Sequence, residues 1–313
     1  MNPAFSVILL TTLLGLAQGL FLALFSVEIG SRIDPGTAMS GSGYYVSGSL
    51  ISLVLAGLGL FASFFHLGHP ERAWRSAAMW RTSWLSREVI ALPAFMALVF
   101  IYAAAHYVGH PATPWIGALA ALSCITLFVC TAMIYASLRF LQEWASFLTV
   151  VNFFVLGAAS GCLLATAHAA IGAPALVKPL AFVAACLTLL GLITRVASLV
   201  RNQRLRPIST LATAIGIRHP HIQQKAQGFM GGSFNTREFF HGKSKAFLRS
   251  VKWLFLLAVF VFPLLLLSAN SQSGNSVWLW LALLVQYPGL IAERWFFFAE
   301  ANHPQNLYYQ AIM

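Results

Sequence analysis

Long, continuously apolar runs alternate with short polar segments along the whole chain. Eight of the runs are close to or above the roughly 20 residues that a helix needs to cross a bilayer. They cover residues 4–27, 44–65, 88–107, 115–137, 148–169, 176–199, 251–269 and 277–298. Because polar residues do not alternate with apolar ones inside the runs, the pattern predicts helices rather than the strands of a barrel. The predicted fold is all-α: a polytopic bundle of eight transmembrane helices that forms a single membrane domain, 1–313.

The composition supports the same interpretation. Apolar residues make up 59% of the 313 residues and charged residues only 9%, against roughly a quarter charged in a soluble domain. A soluble enzyme, a disordered chain and a free nucleic-acid-binding protein are therefore excluded. The net charge of +11 does not indicate a nucleic-acid partner, because lysine and arginine beside membrane spans serve to set orientation.

The positive charges lie almost entirely on one side of the predicted membrane. With eight spans, both termini share a face with the loops between spans two and three, four and five, and six and seven. Those loops carry fifteen lysines and arginines, whereas the opposite face has only Arg32 and Lys178. This bias predicts that both termini are cytoplasmic.

A long basic segment at 200–250 separates spans six and seven and is predicted to be a cytoplasmic docking loop for soluble partners. Binding of anionic lipid headgroups is an alternative role for so basic a segment. Two G-x-x-x-G pairs, Gly15 with Gly19 and Gly157 with Gly161, predict close helix packing in the bundle.

Metal and haem sites in this chain are not expected. The cysteines lie in apolar runs and form no C-x-x-C pair, which argues against zinc and iron–sulfur ligation; they are Cys124, Cys130, Cys162 and Cys186. A haem in a bundle needs histidines deep within facing helices, whereas His106 and His168 fall at the outer ends of their spans.

The densest group of polar residues surrounds the connection between spans two and three. His66 closes span two and Glu88 opens span three, so both are expected at the same depth near the cytoplasmic edge. An imidazole can donate a hydrogen bond or proton to a quinone carbonyl, and a carboxyl group withdrawn from water can carry protons. Alternatively, His66 only caps a helix and Glu88 pairs with Arg87 or Arg81.

Other ionisable residues within spans give weaker indications. Glu293 and Arg294, in the last turns of span eight, either reach the same pocket or form an internal ion pair. Glu28 and Asp34 lie on the sparsely charged face, where the sequence gives them no evident partner.

Several motifs resemble the membrane anchor subunit of anaerobic dimethyl sulfoxide reductase. The pattern His-Leu-Gly-His-Pro-Glu-Arg-Ala-Trp at 66–74, the pattern Arg-Thr-Ser-Trp-Leu-Ser-Arg-Glu at 81–88 and the closing segment 293–309 are similar to that family. Within the long loop, 213–219 and 228–241 resemble the branch that serves cytoplasmic sulfite:quinone oxidoreductase.

The resemblance implies a complex of three subunits in the bacterial inner membrane. A molybdopterin catalytic subunit and an iron–sulfur subunit with [4Fe–4S] clusters would dock on the cytoplasmic face, and this anchor, without haem, would exchange electrons with ubiquinone or menaquinone. The family's quinone-reactive histidine matches His66 and its acidic partner matches Glu88. The expected surroundings of the quinone are Arg72, Trp84, Arg87 and Arg294.

The expected function is therefore the transfer of electrons from sulfite oxidation to quinone. A rival within the family is the anchor of an S- or N-oxide reductase that oxidises quinol. A secondary transporter and a purely structural anchor are rivals from other classes, and the role of His69 is open.

Overall fold

The computed structural model describes residues 1–34, 41–219, 221–223 and 239–308. All regular elements within these ranges are helical. The ten α-helices are α1 (Phe5–Ile33), α2 (Ser42–Ser63), α3 (Trp84–Tyr107), α4 (Thr113–Ala136), α5 (Phe147–Gly172), α6 (Val177–Gln203), α7 (Leu211–Ile215), α8 (Lys245–Leu256), α9 (Phe262–Ser273) and α10 (Val277–Glu300). Within the predicted docking loop at 200–250, residues 220 and 224–238 lie outside the described part.

Seven helical segments of the described chain are long and apolar enough to cross a membrane. They are Phe5–Ile33, Ser42–His66, Trp84–Tyr107, Thr113–Ala136, Phe147–Gly172, Pro174–Gln203 and Lys245–Ser273. The eighth predicted run forms α10, which is 24 residues long but contains Gln286, Glu293 and Arg294 and is not one of the seven. The helical, multi-pass architecture is confirmed, and the eighth span stays a prediction.

Helix ends differ from the predicted ones for local reasons. The Ser83 side chain accepts a hydrogen bond from the Ser86 backbone N–H, and this cap starts α3 four residues before the apolar run begins. The connection before it is also not a simple short loop, because it contains a ten-residue 3₁₀-helix, Pro70–Met79. A π-helical turn, Leu257–Val261, joins α8 to α9 just before Pro263, where proline cannot donate the regular helical hydrogen bond.

Helix α1 lies at the centre of the bundle and packs against α2, α4, α5 and α10. Its closest approach is to α5, at the two glycine pairs. A Cβ atom on Gly19 would overlap the Gly157 carbonyl, and one on Gly161 would overlap the Gly19 backbone. The prediction that these glycines serve helix packing is confirmed.

Successive spans run antiparallel, so the bundle has two distinct faces. At one face the Met1 nitrogen lies 2.7 Å from the Ala301 carbonyl oxygen, and the start of α3 and the end of α4 reach this side. We call it the terminal face. At the other face, which we call the distal face, Arg32 in the last turn of α1 donates a hydrogen bond to the Thr113 hydroxyl at the start of α4, at a distance of 3.0 Å.

Candidate functional site

An apolar groove runs along the lipid-facing side of α3 and α4, towards the terminal face. It has a volume of about 610 Å³ and aliphatic walls. Trp80, Trp84 and Arg87 line it beside the polar connection, and Cys130 of α4 lines it opposite. We call this space the α3–α4 groove. Its size and lining suit a flat apolar ring with an attached hydrocarbon tail.

Arg87 is held in place within this groove. Its Nε donates a hydrogen bond to the Trp80 carbonyl and its Nη2 donates one to the Arg81 carbonyl, both with a length of 2.9 Å. The guanidinium carbon also lies 4.1 Å from the centre of the Trp84 ring, which is a cation–π distance. Trp84 and Arg87, two of the residues predicted to surround a quinone, therefore share one wall.

Glu88 lies directly behind this wall. It begins the second turn of α3 and is 7% exposed, so its carboxyl group is withdrawn from solvent. The Thr131 hydroxyl of α4 donates a hydrogen bond to Glu88 Oε1. An ion pair of Glu88 with Arg87 or Arg81, the alternative left open by the sequence, is not present among the described residues.

His66 and Arg72 have different surroundings from Glu88. His66 ends a 3₁₀ turn after α2 and is exposed, and in the described part of the chain no hydrogen bond or ion pair joins it to Glu88. Arg72 is exposed on the 3₁₀-helix of the connection, where its Nε lies 3.8 Å from Glu71 Oε1. Neighbouring His69 binds the same carboxylate through Nδ1 at 3.1 Å. The structure thus places both His66 and Arg72 on the surface of the terminal face.

Arg294 occupies the interior of the bundle rather than the α3–α4 groove. Its guanidinium carbon lies 3.8 Å from the centre of the Phe153 ring. The adjacent Glu293 pairs with Arg195 of α6, whose Nε lies 2.8 Å from Glu293 Oε1. Arg294 Nε itself lies 3.9 Å from Glu293 Oε2. Arg294 is not among the residues that line the α3–α4 groove, and its expected place beside a quinone stays a prediction.

Arg195 was not predicted to have a role. It is 1% exposed and pairs with Glu293 on a helix distant in sequence. The available signal was an arginine inside an otherwise apolar run, which by itself indicates a buried partner.

A small internal chamber lies between α1, α4, α5 and α10. Its volume is about 20 Å³, enough for one water molecule. Its polar lining residues are Thr11, Thr12, Gln18, Thr131, Ser160 and Arg294. Thr131 therefore connects the chamber to Glu88, and no pattern in the sequence indicates this connection.

A second buried carboxylate lies near the distal face. Glu28 is 3% exposed and accepts hydrogen bonds from the Tyr102 hydroxyl at 2.8 Å and the Thr113 hydroxyl at 2.6 Å. Arg32 Nη2 lies 3.0 Å and His106 Nε2 3.5 Å from the same carboxylate. This cluster joins α1, α3 and α4, and it gives Glu28 the partners that the sequence did not reveal.

A cleft of about 680 Å³ on the terminal face is lined by Met1, by the end of the 200–250 segment, and by the end of α10 and the residues after it. His241 lines it, and burial, followed by the charges of the Met1 amino group and of Lys243, lowers the pKa of this histidine below its ordinary value. His303 stacks on Phe239 with ring centres 3.9 Å apart, and burial lowers its pKa as well.

The described residues contain no cluster with metal-binding geometry: no group of three or more histidine, cysteine, aspartate or glutamate side chains converges among them.

Comparison with known proteins gives a match over almost the whole chain. Residues 1–309 match the model of a family described as DMSO reductase anchor subunit (DmsC). The chain is also 54% identical to a sulfite dehydrogenase subunit of Allochromatium vinosum, over 100% of both chains.

Proposed function

We propose a quinone-reactive role for this chain, which belongs to the DMSO reductase anchor subunit (DmsC) family and is the membrane anchor of a molybdoenzyme complex. In this proposal it passes electrons from sulfite oxidation to the membrane quinone pool. The full-length likeness to a sulfite dehydrogenase subunit supports sulfite as the source of the electrons.

One observation carries the proposal: a buried acid stands directly behind a lipid-facing groove. Reduction of a quinone takes up two electrons and two protons at the carbonyl oxygens. The α3–α4 groove offers aliphatic walls to the ring and tail, with Trp84 and Arg87 beside the polar connection. Glu88, the residue after Arg87, supplies a carboxyl group shielded from solvent, which is suited to proton transfer in an apolar site.

His66 has a complementary role in the proposal. As an exposed imidazole on the terminal face, it can exchange protons with water and donate a hydrogen bond to one quinone carbonyl. Arg87 and Trp84 orient the ring. The electrons come from a [4Fe–4S] cluster of the docked iron–sulfur subunit.

Charge supports the proposed docking side. Among the described residues, most lysines and arginines lie in the connections at the terminal face, including Arg72, Arg75 and Arg81. By the positive-inside rule this face is cytoplasmic. The iron–sulfur and molybdopterin subunits therefore dock from the cytoplasm of a bacterium, near the groove, and both termini lie on that side of the inner membrane.

Glu88→Gln and His66→Ala test the site in the assembled complex. Membranes that contain the complex are supplied with sulfite and a short-chain quinone, and the rate is divided by the amount of complex. Loss of a positioned acid or base is expected to slow quinone reduction at least about a hundredfold, while sulfite oxidation with an artificial acceptor continues.

His110→Ala serves as the matched control, because it changes an exposed histidine after α3, near the distal face. It is expected to retain the parental rate per complex. Parental rates in Glu88→Gln and His66→Ala would contradict the proposed site.

Membership of the DMSO reductase anchor subunit family favours a second direction, in which quinol is oxidised and an S-oxide is reduced. The anchor offers the same groove and acid for either direction. Purified complex that reduces dimethyl sulfoxide with a quinol, and does not oxidise sulfite, would establish this alternative.

A further inference from the structure

Glu88 separates two spaces of opposite character. Arg87 and Cys130 line the lipid-facing groove. The next residue on each helix, Glu88 and Thr131, is turned by about 100°, and these two side chains meet inside the bundle through a hydrogen bond. Thr131 also lines the internal chamber. The acid is therefore next to the groove on one side and, through one hydroxyl group, to the chamber on the other.

The chamber has the chemistry of a water site. Its volume of about 20 Å³ is enough for one molecule, which needs two to four polar partners. The Thr11, Thr12 and Ser160 hydroxyls donate to carbonyls of their own helices, so their oxygens retain acceptor capacity towards the chamber. Arg294 adds a donor: it is 5% exposed, and its Nε has no hydrogen-bond partner among the described residues.

Arg294 brings a guanidinium cation to the lining of the chamber, while the neighbouring Glu293 pairs with Arg195. Arg294 Nε is 3.9 Å from Glu293 Oε2, which is too far for a hydrogen bond, and this leaves Arg294 only weakly paired. Its Nε–H group can therefore donate to a water molecule in the chamber.

We propose that a water molecule bound in this chamber reprotonates Glu88 through the Thr131 hydroxyl. This inference rests on the proposed function, because it assumes that Glu88 gives its proton to a quinone oxygen. The chamber water, as hydronium, transfers a proton to the Thr131 oxygen while the Thr131 O–H proton moves to the Glu88 carboxylate. Water and a neutral carboxyl group remain, and the next proton comes from bulk water. Two such cycles supply the two protons of one quinol.

Thr131→Val is the primary test, since valine keeps the shape and removes the hydroxyl group. In the assembled complex we expect quinone reduction with sulfite to slow about tenfold or more. The rate ratio between H₂O and D₂O should increase, because proton delivery then limits turnover. Thr131→Ser restores a hydroxyl group and should restore both quantities.

Thr188→Val is the matched control. Thr188 is 1% exposed on α6 and its hydroxyl donates only within its own helix, to the Ala184 carbonyl at 2.7 Å. The control should keep the parental rate and the parental isotope effect. Ser160→Val provides a second, independent variant, because its methyl groups enter the chamber from α5 without removing the Thr131–Glu88 bond. It should slow the reaction in the same way as Thr131→Val.

An infrared measurement separates proton delivery from loss of structure. In redox difference spectra, the carboxyl band that disappears in Glu88→Gln should move to higher wavenumber in Thr131→Val, since a hydrogen-bond donor is lost. In Thr131→Ser the band should return to the parental wavenumber, and in Thr188→Val it should not move.

The rates distinguish failure of this inference from failure of the proposed function. If Glu88→Gln is slow while Thr131→Val and Ser160→Val turn over at the parental rate, quinone reduction at Glu88 stands and the chamber pathway is overturned. If Glu88→Gln itself is as fast as the parent, the proposed function and the pathway both fail.

Discussion

The buried pair Arg195–Glu293 gives a sharp prediction for the stability of the bundle. Both residues are 1% exposed, and Arg195 Nε lies 2.8 Å from Glu293 Oε1. Glu293→Gln removes the anion and leaves Arg195 and Arg294 as two neighbouring buried cations. Breaking a buried pair in this way costs about 3–5 kcal/mol, so the folding equilibrium should fall by roughly a hundredfold to several thousandfold.

Denaturant unfolding of the purified protein in mixed micelles, followed by tryptophan fluorescence, measures this cost. The matched control is the double variant Arg195→Met, Glu293→Leu, which removes both charges and keeps similar volumes. It should recover most of the loss, because replacing a whole buried pair by apolar side chains is often nearly neutral. A cost below about 1 kcal/mol for Glu293→Gln, as for an exposed pair, would refute the reasoning, as would a double variant no more stable than the single one.

Two further predictions concern packing and pH. Gly19→Ala forces a Cβ atom against the Gly157 backbone and should destabilise the bundle by about 1–3 kcal/mol in the same unfolding assay. Gly30→Ala is the control, because nothing lies near a Cβ atom at that position. Equal stabilities of the two variants would contradict the glycine contact. The pKa values of His241 and His303 are lowered in the folded protein. Just below the ordinary histidine pKa of about 6.5, the unfolded segments therefore bind more protons than the folded ones. The local stability is complete above that pH, and it is lost as the pH falls from there through the lowered pKa values of the folded state. Hydrogen exchange at 239–245 and 301–308, corrected for intrinsic rates, should therefore speed up on acidification, and a dependence that persists in the variant His241→Gln, His303→Gln would rule out these residues as its source.

The sequence predicted the architecture well because membrane crossing is a local property. Length and continuous apolar character identify each span without knowledge of its neighbours. The glycine spacing in α1 and α5 also predicted packing correctly, since close approach of helices needs small residues at that interval. Helix α10 shows the limit of prediction from apolar character. Its Glu293 and Arg294 make the helix less apolar, although both side chains are buried inside the bundle.

Partners across helices were much harder to predict. Each span is apolar on all sides, so its sequence does not fix the rotation that decides which side chains meet. Thr131 reaches Glu88, and His106 reaches Glu28, only because α3, α4 and α1 pack with a particular rotation. The sequence predicted His66 and Glu88 at one depth, whereas the cap at Ser83 starts α3 four residues earlier. Glu88 therefore lies about one turn into the helix, where it is buried.

The Glu28 cluster has a mechanical consequence for the opposite end of the protein. It fastens α3 and α4 to one another near the distal face through Tyr102 and Thr113, while the groove between the same two helices lies towards the terminal face. Towards the terminal face, the Thr131–Glu88 hydrogen bond joins the same two helices. The α3–α4 pair is thus braced at two levels of the bundle, so we expect the recess between the helices to keep the same width with or without a bound ring.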